Sequence, residues 1–295
     1  MLLGTVVLWG LNITVTKYVL EHGWLPLPYG TIRYFAAISL FWIFTYSRER
    51  SFRIARRDLR LVLVAAAFIF ANQVCFVFAL HLTHASTVAL LLGSTPVFTA
   101  LVAHAIGLER LPWPFWVGAA ITFGGVAMIA AASGGVGWSL GGTLLAIALA
   151  FTWACYTISI APLMRRYSPY RVSALVLAIG WVPLALVSIP ELSRQHFSFG
   201  WLVWLGFAYA VVGPLFLTNI LLFTAIERVG PSRAALFGNL QPFFSVFFAL
   251  VLLSEPLQAL EIAGGVLIFA GIVLERYWRR PLARADAVEA VESTP

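Results

Sequence analysis

Long apolar runs, separated by short polar stretches, follow one another along almost the whole chain. Each run has about 20 residues, the length that an α-helix needs to cross a hydrocarbon core about 30 Å thick. The boundary between the third and fourth runs is the least distinct, because only the polar stretch His81–His84 separates them. The pattern predicts an all-α membrane protein. Its ten predicted transmembrane helices cover residues 2–20, 28–46, 61–81, 84–106, 113–132, 140–164, 170–189, 199–223, 231–253 and 258–277.

Charged residues are scarce and unevenly distributed. They make up 11% of the sequence, against about 25% in soluble domains. If the N-terminus is cytoplasmic, sixteen of the nineteen Lys and Arg residues fall on the cytoplasmic side, which predicts that both termini lie inside. The net charge of +7 is therefore a topology signal, and no nucleic-acid partner is predicted. The predicted location is a lipid bilayer that the chain crosses many times.

Three basic residues fall outside this rule: Lys17, Arg33 and Arg194. We expect Lys17 and Arg33 to extend to the outer surface along their apolar stems. The alternative is that they attract a carboxylate at the mouth of a cavity. Cys75 and Cys155 lie inside predicted helices, so no structural disulfide is expected.

The second half of the sequence repeats the first. With a shift of 146 residues, eleven positions between 85 and 125 are identical, and they include Pro96/Pro242, Glu109/Glu255, Gly118/Gly264 and Gly125/Gly271. With a shift of 144, Trp9 meets Trp153. Each half has five predicted helices, and because five is odd, the second copy enters the membrane from the opposite side. Inverted repeats of this kind are typical of secondary transporters. The predicted domains are a first repeat at 1–135, a second repeat at 136–280 and a disordered cytoplasmic tail at 281–295.

A short motif occurs once in each half: Ala-[Leu/Ile], then a Ser, a Pro inside the helix and a Glu at its end. Its residues are Ala79, Leu80, Ser86, Pro96 and Glu109, then Ala225, Ile226, Ser232, Pro242 and Glu255. With ten predicted helices in two repeats, this resembles the EamA-type, ten-span proteins of the drug/metabolite transporter superfamily, and more narrowly the bacterial aromatic amino-acid exporter branch. The resemblance covers essentially residues 1–277, and it implies a location in the inner membrane of a bacterium. It implies that four helices of each half enclose a substrate path, which the fifth and tenth helices brace.

Polar and aromatic side chains inside the apolar runs are candidates for contact with a solute, because a polar group in a bilayer requires a partner. The alternative is a structural role, in which the amides and hydroxyls form hydrogen bonds between helices and the rings only pack. Similar depths in both halves favour a shared central cavity. The predicted substrate-binding residues are Trp9, Asn12, Gln73, Phe76, Thr95, Trp153, Tyr156, Asn219, Asn239 and Gln241.

Pro96 and Pro242 interrupt helices in corresponding places. A proline has no backbone N–H and clashes with the carbonyl four residues earlier, so the carbonyls of Leu92 and Gly238 lose their helical partner. In hydrocarbon each needs water, a side chain or a ligand in its place. We expect two hinged helices that line a hydrated path. The alternative is a purely structural kink.

Residue types that are missing from the relevant positions of the sequence argue against a cation site, a proton relay and a metal site. Some small drug exporters of the superfamily have a Glu in the first span, where this chain has Asn12 nearby, so a cation site or proton relay is not expected. His81 and His84 lack a third ligand in the sequence nearby, so no metal is predicted, and no cofactor is predicted. The glycine pairs Gly118/Gly125 and Gly264/Gly271 suit close packing of helices, either within a supporting layer or between two copies. A monomer or a weak homodimer is predicted.

The predicted function is export of small amphipathic metabolites by alternating access. Amino acids with aromatic or apolar side chains are the expected substrates, and the alternative is a multidrug or other metabolite exporter of the same superfamily. A membrane-embedded enzyme would need a catalytic pair or a metal cluster at one depth, which the sequence lacks. A passive channel would need a charged ring or a carbonyl filter.

Overall fold

The predicted apolar runs form helices. The computed structural model describes residues 2–132, 139–218, 221 and 240–274. Its helices are α1 Leu2–Glu21, α2 Pro26–Glu49, α3 Leu59–Leu82, α4 Ala85–Leu92, α5 Thr95–Ala105, α6 Trp113–Ala132, α7 Leu140–Met164, α8 Pro169–Leu192, α9 Trp201–Val211, α10 Gln241–Leu253 and α11 Ala259–Leu274. A 3₁₀ turn at Arg56–Asp58 precedes α3, and a π-helical segment at Val212–Leu217 follows α9.

Six of the described helices are long and apolar enough to cross a membrane, namely α1, α2, α3 with its 3₁₀ turn, α6, α7 and α8. The helices α4 and α5 form a seventh span if they are counted together, and they meet at a bend of 42°. The prediction of an all-α, multi-pass membrane protein is therefore confirmed. The count of ten stays a prediction, because the predicted helices at 199–223, 231–253 and 258–277 extend beyond the described residues.

Corresponding helices of the two halves make corresponding contacts. α1 packs on α10, and its counterpart α7 packs on α4 and α5. α1 also contacts α9 while α7 contacts α3, and α2 packs on α8. The described helices are thus interleaved: each half contributes to every major contact surface of the bundle, and neither half forms a separate core.

The crossing of α6 and α11 brings the backbones of the two halves into close contact. A Cβ atom added to Gly125 would overlap the carbonyl oxygen of Gly264, and one added to Gly271 would overlap Thr122 and the backbone of Gly118. The repeat equates Gly118 with Gly264 and Gly125 with Gly271, so each of these contacts is the counterpart of the other. The predicted small-residue stripes therefore face one another within the chain, as small residues at membrane helix crossings do.

Two connections, one from each half, meet at one end of the molecule. The backbone N–H of Leu25 donates to Oε1 of Gln195 at 2.8 Å, and that of Leu27 donates to Oε2 of Glu191 at 3.0 Å. Trp24 stacks on Phe199, with ring centroids 5.0 Å apart. A carboxylate and an amide from the end of α8 thus hold the beginning of α2, where N–H groups have no helical partner.

The α2–α3 and α7–α8 connections meet in the same way, and there the contacts are ionic. Arg171 pairs with Glu49 at 2.6 Å. Asp58, which is buried, binds Arg166 and accepts a hydrogen bond of 2.7 Å from the hydroxyl of Tyr167. These contacts fix the position of α8 relative to α2 and α3.

The beginning of α4 is held by two carboxylates from the second half. Glu255 accepts hydrogen bonds from the N–H groups of Ala85 and Ser86 at 2.8 and 2.9 Å, and from the Ser86 hydroxyl at 2.8 Å. Glu261, which is fully buried, accepts a hydrogen bond of 2.9 Å from the hydroxyl of Thr87. Carboxylates are favourable at this position because the helix N-terminus carries partial positive charge.

Candidate functional site

A buried arginine is the centre of the polar residues on α1, α2 and α3. Arg33 lies in the second turn of α2, and only 3% of its surface is exposed. Its Nη2 donates to Oε1 of Gln73 at 2.9 Å. The expectation that Arg33 extends to the outer surface is therefore wrong: the Gln73 amide and the surrounding rings hold the guanidinium among the helices. Lys17, also buried, pairs with Glu21 in the last turn of α1 at 3.2 Å.

Three aromatic rings surround the Arg33 guanidinium. Its central carbon lies 5.1 Å from the ring centroid of Tyr29, 5.1 Å from that of Phe76 and 5.7 Å from that of Tyr34. Tyr29 and Arg33 are four residues apart on α2, and Gln73 and Phe76 are three apart on α3, so each helix presents its pair on one face. Phe76, a predicted substrate-binding residue, thus joins Gln73 at this site.

Beyond the Tyr29 ring, hydroxyl groups continue to Asn12. The hydroxyls of Tyr29 and Thr16 are 3.0 Å apart, and Thr16 donates to Oδ1 of Asn12 at 3.5 Å. Asn12 is half-buried, whereas Thr16 and Tyr29 are fully buried. Hydrogen bonds thus join Asn12 to Tyr29, the ring of Tyr29 contacts Arg33, and Arg33 binds Gln73. Thr16, Tyr29 and Arg33 were not among the predicted substrate-binding residues.

Trp9 couples α1 to the π-helical segment. Its indole Nε1 donates to the carbonyl oxygen of Pro214 at 3.2 Å. In the opposite direction, the hydroxyl of Tyr209 donates to the carbonyl of Leu8 at 2.8 Å. Trp9 is half-buried, and its indole N–H forms a hydrogen bond between helices. This is the structural alternative to contact with a solute.

The counterpart of Trp9 in the second half has a different environment. Trp153 is 41% exposed, and its ring centroid lies 5.4 Å from that of Tyr156, which is buried. Nearby, the amide of Asn72 donates to the Leu149 carbonyl at 3.0 Å and to the Thr152 hydroxyl at 3.2 Å. Asn72 therefore bonds α3 to α7 and is a structural residue.

The interrupted helix of the first half has the geometry that its proline predicts. Thr95 donates its hydroxyl to the carbonyl of Leu92 at 2.6 Å, so a side chain satisfies the acceptor that Pro96 leaves without a helical partner. Pro96 lies in the first turn of α5, and Pro242 lies in the first turn of α10, which begins at the half-buried Gln241. Movement about these two interruptions stays a prediction.

The beginnings of α5 and α10 are close together in space. A Cβ atom at Gly93 would lie 3.7 Å from Cγ of Pro242. Thr95 and Gln241, the first residues of these two helices, therefore lie in one region of the bundle. The remaining predicted residues, Asn219 and Asn239, and the Gly238 carbonyl lie outside the described residues.

Sequence reasoning did not select Tyr29 and Thr16, and it gave Arg33 a place at the site only as the alternative. A signal was present: Tyr29 and Arg33 share one face of the second predicted helix, and a charged residue five positions after the start of an apolar helix needs a partner. What the sequence did not provide was the identity of the neighbouring helix that supplies Gln73.

Comparison with known proteins identifies the family. The sequence profile of the EamA-like transporter family matches the chain twice, over residues 1–131 and 140–276. The chain belongs to the EamA-like transporter family. The two matches agree with the duplicated halves. They make the chain a transporter and not an enzyme.

Several relatives resemble the EamA-like chain over most of its length. An uncharacterized transporter of Archaeoglobus fulgidus is 27% identical and covers 92% of this chain and 95% of its own. A probable amino-acid metabolite efflux pump of Salmonella typhimurium is 28% identical, with 91% of each chain covered. A probable terminal-alkyne amino-acid exporter of Streptantibioticus cattleyicolor is 29% identical and covers 77% of this chain and 76% of its own.

A solved crystal structure has the same fold as this EamA-like chain. The TM-score is 0.65, the sequence identity is 19%, and the alignment covers 95% of this chain and 96% of the other. At this identity the similarity concerns the fold alone.

Proposed function

We propose that this EamA-family transporter exports amino acids with apolar or aromatic side chains across the inner membrane of a bacterium by alternating access. The observation that carries the proposal is the row of polar residues from Asn12 through Thr16 and Tyr29 to Arg33 and Gln73. Hydrogen bonds join them except where the Tyr29 ring contacts the Arg33 guanidinium. Polar groups of this kind inside a membrane bundle are costly and mark solute pathways. Relatives named as amino-acid metabolite or amino-acid exporters support the substrate class.

Two halves of opposite orientation, with ten helices in total and both termini cytoplasmic, provide the mechanism that we propose. The matched contacts of α1 with α10 and of α7 with α5 support a two-fold relation between the halves. In such an arrangement a site between the repeats opens to one side while the corresponding contacts on the other side close. The interruptions at Pro96 and Pro242 are the proposed hinges, and their proximity through Gly93 supports a coupled movement.

The proposed substrate path includes the aromatic residues Trp9, Phe76, Trp153 and Tyr156 beside this row of polar residues. Rings with polar edges suit an amphipathic solute that has an apolar side chain and charged ends. The domain boundaries at 135 and 280 and a monomeric or weakly dimeric state remain part of the proposal.

Transport by the purified protein in liposomes tests this function. We expect saturable counterflow of labelled L-phenylalanine. A panel of other amino acids and of lipophilic drugs, added as competitors at two pH values, separates the amino-acid exporter from a multidrug or other metabolite exporter. Competition by the drugs and not by amino acids would replace the proposed substrate class, and flux that does not saturate would indicate a channel.

Truncation of the paired tryptophans tests the path. We expect Trp9→Ala and Trp153→Ala to reduce the rate of transport by about tenfold each, since a loss of about 1.4 kcal/mol of binding energy corresponds to that factor. Trp201→Ala is the matched control, because Trp201 is 76% exposed at the beginning of α9. Equal transport in all three variants at equal expression would reject the assignment of Trp9 and Trp153.

A further inference from the structure

We propose that Arg33 and Gln73 bind the carboxylate of the transported solute, so that substrates of this protein must carry a carboxylate. The inference rests on the proposed function, because it assigns a chemical class to the same site. It starts from the hydrogen-bond donors of these two side chains, which the described residues leave partly unused.

A guanidinium has five N–H donors, and Arg33 uses few of them. Its Nη2 binds Gln73, whereas its Nε and Nη1 have no hydrogen-bond partner among the described residues. The Nε2 amide of Gln73 is also without one there. All these nitrogens are buried. Buried donors without acceptors are costly, so this group of donors calls for an acceptor with several lone pairs.

The positive charge of Arg33 also lacks a counter-ion in the described part of the chain. The ion pairs found there join Lys17 to Glu21, Arg171 to Glu49, and Asp58 to Arg57 and Arg166. The buried Glu255 and Glu261 are bound at the beginning of α4 instead. A charged side chain inside a membrane helix bundle normally pairs with an opposite charge. A solute carboxylate satisfies both the charge and the unused donors.

The rings around Arg33 stabilise the cation without using its N–H groups. Each cation–π contact is weaker than the hydration that a buried ion loses, so the rings alone do not replace an opposite charge. The rings of Tyr29, Tyr34 and Phe76 therefore hold the guanidinium in place and leave its donor edge available. That edge is planar and matches the two oxygens of a carboxylate.

Gly30 allows Gln73 to approach this edge. A Cβ atom at Gly30 would lie 3.2 Å from Nε2 of Gln73, closer than ordinary van der Waals contact. Gly30 lies one turn before Arg33 on α2. Because it has no side chain, the Gln73 amide has room beside Arg33. The burial of Arg33 means that the site is closed in this conformation, as expected of a site that faces each side in turn.

Two pairs of probes that differ only in the carboxylate test the inference: L-phenylalanine with L-phenylalaninamide, and 3-phenylpropionate with 3-phenylpropionamide. Binding to the purified full-length chain is measured by calorimetry. We expect wild type to bind each carboxylate about 30-fold or more tightly than its amide, as for a buried charge partner worth at least about 2 kcal/mol. In Arg33→Gln this preference should disappear. In Arg194→Gln, which changes an exposed arginine after α8, it should persist.

Gln73→Glu tests the site without removing the arginine. The new carboxylate would lie where Oε1 of Gln73 now accepts the Arg33 bond of 2.9 Å. We expect the melting temperature to rise, because the buried charge gains a partner, and the affinity for both carboxylate probes to fall about 30-fold or more with little change for the amides. This variant keeps the test decisive if Arg33→Gln does not fold.

The outcomes separate this inference from the proposed function. If wild type prefers 3-phenylpropionate to 3-phenylpropionamide by about 30-fold or more and yet fails to transport phenylalanine, the amino-acid exporter is rejected and the carboxylate site is supported. Wild type that transports phenylalanine and phenylalaninamide equally, or binds neither carboxylate in preference to its amide, would overturn the site. A purely structural Arg33 would weaken all four probes alike in Arg33→Gln and leave the preference intact in Gln73→Glu.

Discussion

Glu255 illustrates how single polar residues join the two halves. It lies just after α10, and its carboxylate binds two backbone N–H groups and one hydroxyl at the beginning of α4. The four free N–H groups at a helix N-terminus otherwise need water or another cap. Because only 9% of Glu255 is exposed, solvent screens these bonds only weakly.

We expect Glu255→Gln to lower the free energy of unfolding by about 1–3 kcal/mol, since the neutral amide loses charge-assisted bonds and offers only one oxygen acceptor to three donors. Thermal unfolding in detergent, followed by intrinsic fluorescence, measures the change. Glu21→Gln is the control: the Glu21 side chain is half exposed and pairs with Lys17 on the same helix, so solvent screens its charge and the effect should be smaller. An equal effect in both variants would contradict the capping role.

Some helices are continuous and pack closely, whereas α4 and α5 are separated by a bend. α6 and α11 are continuous and cross through glycines, which brings their backbones into contact and makes this pair a brace between the halves. α4 and α5 are bent by 42° at a break where hydroxyls of Ser94 and Thr95 bind the carbonyls of Leu91 and Leu92. Irregular backbone at membrane depth persists where side chains or a path satisfy it.

Two adjacent glycines of α6 allow a matched test of the brace. Gly125→Ala should lower the free energy of unfolding by about 1–3 kcal/mol, because the added methyl group meets the backbone of Gly264 and forces the helices apart. Gly124→Ala should be neutral or stabilising by up to about 1 kcal/mol, because nothing lies within 4 Å of a Cβ there and alanine favours helix. The ratio of folded to unfolded protein after heating measures both. Equal behaviour of the two variants would place the crossing elsewhere.

At both ends of the molecule, contacts join the first half of the chain to the second half, but the chemistry of these contacts differs. At one end Glu191 and Gln195 hold the α1–α2 connection, with stacked aromatic rings beside it. At the other end the contacts are the ion pairs of Glu49 and Asp58 with arginines. The arginine-rich end is the predicted cytoplasmic one, in agreement with the distribution of basic residues.

Single-cysteine labelling tests this orientation. With Cys75 and Cys155 replaced by alanine, Arg194→Cys should react with a membrane-impermeant maleimide on intact cells, and Arg53→Cys should react only after permeabilisation. Both positions are exposed and lie at opposite ends of the bundle. Reaction of Arg53→Cys alone on intact cells would invert the orientation, and reaction of both would contradict the proposed topology.

Several features of the fold were predictable because they depend on local chemistry. Apolar runs of membrane length predicted α1, α2, α3, α6, α7 and α8, and the position of Pro96 predicted a break between α4 and α5. The glycine stripes predicted a close crossing. Whether they served a crossing within the chain or between copies was undecided, because the sequence does not say which helices are neighbours.

The site was predictable only in part. Gln73, Phe76 and Asn12 were selected because they are polar or aromatic at depth, whereas Arg33 was expected at the surface. A long side chain near the end of a predicted helix can either extend to water or turn inward, and the sequence does not distinguish these outcomes. Asn72 and Trp9 likewise have partners on other helices, at Leu149 and Pro214, which no local pattern reveals.

By itself, the sequence determined that this chain lies in a membrane, is helical and is duplicated, because hydropathy, helix length and repetition are properties of consecutive residues. The tertiary structure decided which polar groups meet. It placed Arg33 beside Gln73 and three aromatic rings, Glu255 at the beginning of α4, and Gly125 against Gly264. Those contacts join residues that are distant in the sequence, so they depend on how the helices pack and not on the helices themselves.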